Sequence, residues 1–209
     1  MTAGDDTERV RRHYDRNAGS YDQLIAPFER VLFGGGREWV CSRAQGEVLE
    51  IAAGTGRNLP FYPEGVCLTG IELSSKMLDL AHRRARELGR ETDLRVGDAQ
   101  NLPFPGAYFD TVVATLALCT IPDERRAVAE AARVLRPGGR LLLLEHVRSP
   151  VLPVRLLQRV LDPLAVLIDY DHLLREPLRH VEDTGLVVES LERSKLGVVE
   201  RLQASKPAS

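Results

Sequence analysis

The feature that most constrains this chain is an apolar run that stops dead at bare backbone. Val48, Leu49 and Ile51 lead into Gly54-Thr-Gly56, and a second run through Val66, Leu68 and Ile71 stops at Glu72. A buried strand ending in Gly-Thr-Gly exposes main chain to a ligand, because Gly54 and Gly56 have no side chain in the way. An acidic residue about 20 positions on, at the tip of the next strand, accepts hydrogen bonds from both ribose hydroxyls of a nucleoside. The pair of runs therefore predicts adjacent parallel strands and a nucleoside-cofactor site at their ends.

The dinucleotide fingerprint G-x-G-x-x-G needs a third glycine, where the chain instead has Leu59. Glu50, just before the turn, repels a pyrophosphate and suits a cationic cofactor with an amino-acid tail. S-adenosylmethionine is such a cofactor.

The segment Glu50-Ile-Ala52-Ala-Gly54-Thr-Gly56 resembles the first motif of class I S-adenosylmethionine-dependent methyltransferases, with Ala52 standing at the first glycine. Gly97-Asp98-Ala99-Gln-Asn-Leu-Pro-Phe104 is similar to the third motif, Phe109 to Leu116 to the fourth strand, and Leu135-Arg-Pro-Gly-Gly139 to the turn before strand five. The resemblance implies that Glu72 binds ribose, that Leu73 and Met77 border the adenine, and that Gly97, Asp98 and Ala99 meet its edge. It also places Asn58 and Thr115 at the cofactor. Tyr14 to Asp22 resembles the segment that folds over the cofactor in ubiquinone/menaquinone and phospholipid methyltransferases, which makes Tyr14 and Tyr21 contacts too. Phe33 to Arg37, Asn58 to Pro63, Leu116 to Ile121 and Glu145-His-Val147 are similar to thiol methyltransferases, although the charged start of the chain lacks their apolar N-terminal anchor.

The fold implied is α/β: a Rossmann-like, doubly wound, seven-stranded, mostly parallel sheet with one antiparallel edge strand. Within one domain spanning 1–209, the expected parts are a helical N-terminal cap (1–45), a cofactor-binding core (46–147), a lid insertion after strand five (148–183) and C-terminal strands (184–209). The cap reads as two helices, the first over 7–17 with Thr7 as N-cap and the second ending before Gly34. In the insertion, Leu156, Leu157, Val160, Leu161, Leu164, Leu167 and Ile168 follow helical spacing. That helix packs its apolar face on the sheet, or helps to form a lid over an apolar acceptor, or does both.

Methyl transfer needs alignment more than acid–base work. His146, at the end of strand five, is the catalytic candidate: a general base with a suitable ordinary pKa, or a bond to a neighbouring loop. His172 and Asp169 either contact the acceptor or are surface polar groups. Cys119 lines the pocket or is a small buried hydrophobe; Cys41 and Cys67 read as structural, and Asp110 and Glu145 as solvated groups or loop caps.

Charge and cysteine content exclude other classes. With 28 basic against 30 acidic residues the net charge is -2, which leaves no footprint for nucleic acid. Three cysteines without metal-like spacing predict a reducing, cytoplasmic setting and no metal. No run reaches the length of a spanning helix, so membrane contact is expected only as a peripheral one, for a lipid or quinone acceptor. The expected partner is a small-molecule methyl acceptor; the oligomeric state is open. Two other readings remain: a nicotinamide-dependent oxidoreductase, and a cofactor-binding protein that has lost catalysis.

Overall fold

The computed structural model describes residues 3–208. Seven strands, β1 (Glu47–Ile51), β2 (Cys67–Glu72), β3 (Asp93–Val96), β4 (Phe109–Thr115), β5 (Leu135–His146), β6 (Val187–Ser194) and β7 (Val199–Ser205), form one sheet in the order β3-β2-β1-β4-β5-β7-β6. The first five run parallel; β7 is antiparallel to both β5 and β6, one place in from the edge. The helices are α1 (Ala3–Leu32), α2 (Gly36–Cys41), α3 (Ser75–Glu87), α4 (Glu124–Val134), α5 (Leu152–Asp169) and α6 (Pro177–Asp183).

The central strands are apolar on both faces because helices cover both. Side chains alternate along a strand. Leu49, Ile51, Val112, Ala114, Leu141 and Leu143 therefore enter the core shared with α4 and α6. Val48, Val113, Leu142 and Leu144 enter the opposite core with Val40, Cys41, Leu59 and Tyr62. Glu50 shares the parity of Val48, so its carboxyl is sent into the second layer. Each fully buried leucine or isoleucine here contributes about 1.5–3 kcal/mol.

Helix boundaries follow local chemistry. Ser74 caps α3 by accepting from the Met77 amide at 3.1 Å, and Gly89, at φ +62°, turns the chain away after its end. Asp123 caps α4 through the Arg126 amide at 2.9 Å.

Two expectations for the helices fail. The cap is not two helices: α1 is continuous for 30 residues, with Pro27 inside it, and Thr7 is an interior residue whose hydroxyl accepts from Gln100. Tertiary bonds along its length, described below, outweigh the cost of the proline. The apolar residues of α5 do not pack on the sheet; they are exposed, and the residue it buries is Gln158.

Gly56 sits at φ +76°, and a Cβ added there would stand 2.8 Å from Leu59 Cδ1 and 3.1 Å from Ala81 Cα. Gly56→Ala combines left-handed strain with overpacking, so urea unfolding is expected to report a loss of about 2–4 kcal/mol.

Candidate active site

At the carboxyl ends of β1, β2, β3 and β4, where the strand order reverses, lies a cleft of about 620 Å³, part of it open to solvent. This is where open α/β sheets bind ligands.

Its floor is built by a single carboxylate. Glu72, buried at the tip of β2, accepts from the Gly54 amide through Oε2 and from the Ser74 amide through Oε1, both at 2.9 Å. It ties the turn after β1 to the start of α3. Burial raises its pKa, and the Ser74, Gly54 and Leu73 amides pull it back down. Two non-glycine residues of the wall, Ala52 at φ +52° and Leu116 at φ +51°, hold left-handed backbone. Strain of that kind at a cleft is characteristic of a functional site.

Ten of the sequence-derived contacts line the cleft. Ala52 and Gly54 come from the first turn, Glu72, Leu73 and Met77 from the second, and Gly97, Asp98 and Ala99 from the third. Tyr14 and Tyr21 descend from α1 with ring centroids 6.1 Å apart. Asp98 Oδ1 accepts from both the amide and the side chain of Gln100, whose own oxygen accepts from the Asp123 amide. Burial raises the Tyr14 and Tyr21 pKa values well above the ordinary phenol, so both hydroxyls stay protonated.

Four others do not line it. Gly56 packs on Leu59 and α3. Glu50, Asn58 and Thr115 belong to a buried network beneath the turn. Asn58 donates to Glu50 (2.8 Å) and to Thr115 (2.9 Å), Tyr62 donates to Glu50 (3.0 Å), and Arg37 donates to Asn58 and Thr115.

His146 also lies behind the wall. Its Nε2 is 2.8 Å from Asp171 Oδ1, an ion pair without aligned hydrogen-bond geometry, and its buried Nδ1 has no partner among the described residues. Burial opposes the imidazolium, but Asp171 outweighs it and the pKa is raised. The Cys119 thiol is buried beside Asp171, its pKa pushed well up by burial. Those three side chains cluster within 4.8 Å of one another. Glu145 is fully buried rather than solvated, and its Oε1 accepts from the Ala117 and Leu118 amides, capping the loop after β4. Asp169 pairs with His13, and the His172 amide donates to the Cys119 carbonyl; neither Asp169 nor His172 lines the cleft. Cys67 is exposed at the start of β2.

The residues missed from the sequence are mostly on α1. Asp15 accepts from Ser74 Oγ and the Lys76 amide, Asp22 from Thr55 and Arg84, and Glu29 from Arg57 and Arg37. Their spacing of seven, two helical turns, was the available signal. Thr120, Ile121 and Pro122 complete the wall after β4.

A family model described as a methyltransferase domain matches residues 49–143. Demethylmenaquinone methyltransferase of Tropheryma whipplei (strain Twist) is 35% identical over 191 residues, covering 86% of this chain and 79% of that protein. Phosphatidylethanolamine N-methyltransferase of Cereibacter sphaeroides is 40% identical over 118 residues, covering 56% and 58%. The chain spans 58% and 50% of the length of two of the curated relatives it matches. A solved geranyl diphosphate methyltransferase, in complex with GPP and sinefungin, superimposes with a TM-score of 0.75 at 18% identity, covering 96% of this chain and 99% of that one. At that identity the likeness is one of fold.

Burial lifts the Glu50 carboxyl from 4.5 to about 7, against the pull of Tyr62, Arg37 and Asn58. The folded chain keeps a proton that the unfolded chain releases above 4.5. Stability from this group is therefore full at low pH and declines until about pH 7. Glu50→Gln is expected to remove about 3 kcal/mol of that decline, read as urea unfolding free energies at about pH 4.5 and about pH 8.

Proposed function

The chain belongs to the class I S-adenosylmethionine-dependent methyltransferase family, and from that premise we propose that it methylates a small, partly apolar acceptor. The observation that carries this reading is the convergence of bare backbone, a buried carboxylate and two phenols on one cleft. Gly54, at φ +57°, has nothing within 4 Å of where a Cβ would stand, so a ligand can lie on its main chain. The amides on Glu72 leave acceptor capacity on the carboxylate for a ribose hydroxyl. The residues present fit S-adenosylmethionine.

Bound there, that cofactor supplies a methyl group already activated by sulfonium for in-line displacement. The protein's share is positioning. Glu72 holds the ribose, Leu73 and Met77 flank the base, and Asp98 with the Ala99 amide meets its edge. Tyr14 and Tyr21 close the cleft from α1 and exclude water, and as neutral phenols each can donate or accept a hydrogen bond. With Leu116, Ala117 and Ile121 in the wall, the remaining surface suits an apolar acceptor. The names of the two curated relatives, a phosphatidylethanolamine and a demethylmenaquinone enzyme, agree with that class.

His146 is assigned a positioning role. Its ring reaches Asp171 rather than the cleft, and it supports the loop that carries Cys119 and Thr120. His146→Ala is expected to slow turnover, spare cofactor affinity and leave the shape of the pH–rate profile unchanged. Loss of the acidic limb of that profile would instead make it a base.

The direct test is calorimetric titration with S-adenosylmethionine, S-adenosylhomocysteine and NADH. The two sulfur nucleosides are expected to bind, and NADH is not; the reverse pattern would make the chain an oxidoreductase. Glu72→Ala is expected to weaken S-adenosylmethionine binding by about 1–3 kcal/mol, and unchanged affinity would remove Glu72 from the site. Turnover with quinol, amine, thiol or lipid acceptors separates an enzyme from a protein that only binds.

A further inference from the structure

Helix α5 is amphipathic in the reverse sense for a surface helix, with its polar side turned into the protein. Gln158 accepts from the Ser149 amide at 2.9 Å and donates to the carbonyls of Val147 (2.9 Å) and Leu173 (3.0 Å). Asp162 accepts from the Leu173 amide at 2.7 Å, and Asp169 pairs with His13 on α1. The apolar side faces outward: Leu157, Val160, Leu164, Leu167 and Ile168 are between 53% and 79% exposed. At 3.6 residues per turn, the exposed apolar positions cover about half of the circumference.

Basic side chains flank this band. Arg155 and Arg159 lie at its border and form no ion pair among the described residues. The tip of the β6–β7 hairpin adds exposed Lys195 and Leu196, and it is tied to the start of α5 by Ser149 Oγ donating to the Leu196 carbonyl at 2.6 Å. Of the two acids of the helix, Asp162 accepts from the Leu173 amide and Asp169, its side chain 48% exposed, is taken up by His13.

We infer that this face docks on an anionic lipid surface. A band of leucine, valine and isoleucine edged by arginine and lysine is complementary to acyl chains beneath negative headgroups. A two-fold dimer through the same patch would lay this cationic rim against its own copy. No described helix is long and apolar enough to cross a membrane, so α5 lies in the interface rather than spanning it. Its carboxyl end meets α1 at His13, the neighbour of Tyr14 in the cleft wall. Docking therefore sets the mouth of the cleft beside the lipid. The inference does not depend on methyl transfer, because vesicle binding is read without turnover.

The experiment is flotation of the purified chain with vesicles of phosphatidylcholine alone and of phosphatidylcholine mixed with phosphatidylglycerol, alongside sedimentation velocity without lipid. A monomer that floats with the anionic vesicles and is released by salt is expected. Replacing both arginines, Arg155→Gln with Arg159→Gln, should lower anionic-vesicle affinity about 30-fold at low ionic strength. Val160→Glu with Leu167→Glu should abolish flotation, while circular dichroism and S-adenosylmethionine affinity stay at the parent's values. Absence of flotation, equal flotation with both vesicle types, or retained flotation of the glutamate variant would each overturn the inference. So would a lipid-free dimer that the glutamate variant dissociates, which would give the face to a second copy.

Discussion

One buried carboxylate holds the working end of this molecule together. Glu72 takes the Gly54 amide in one oxygen and the Ser74 amide in the other. Those two amides belong to turns that follow different strands, so the bond fixes the distance between them. The strained backbone at Ala52 is tolerable because this anchor and the β1–β2 ladder over-determine its position. Removing the carboxylate would leave two buried amides unpaired, a cost of the same order as a whole side chain's burial.

Helix α1 buries Val10 and Ala18 and is also fastened onto that platform by ionic contacts. Asp15 grips the start of α3, Asp22 the turn after β1, and Glu29 the arginines behind it. The same helix turns Val10, Tyr14 and Tyr21 toward the cleft. Two adjacent stripes on one helix thus divide the labour: acids hold it in place and aromatic rings close the site.

What the sequence made legible was whatever is local. The two apolar runs, the Gly54-Thr-Gly56 turn and the acid that ends the second run are read from residues within a few positions of each other, and the structure has them as β1, its turn and β2. Strand parity also bears on Glu50: counting from Val48 puts it in the second layer with Tyr62, away from the cleft, although motif resemblance alone suggested a cofactor contact. Other features depend on partners distant in the chain. Asp171 reaches His146 from 25 residues away, and no spacing announces that pair. Helical periodicity found the apolar stripe of α5 but not which side faces the protein. That is decided by the free carbonyls of Val147 and Leu173, which only a glutamine and not a leucine can satisfy. Likewise the expected division of the cap into two helices gave way to one helix tied at Asp15, Asp22 and Glu29 to residues 28 to 62 positions away.

The three acids of α1 are unequal in burial, and so in their response to salt. Glu29 is buried between two arginines next to Pro27, whereas the Asp22 and Asp15 side chains remain partly open to water. Glu29 is thus the contact best shielded from salt, and the Asp15 and Asp22 side chains, 20% and 33% open, are the more readily screened. Ionic strength therefore weakens the hold of α1 first where the helix carries Tyr14 and Tyr21, and leaves the pairing at Glu29 for last.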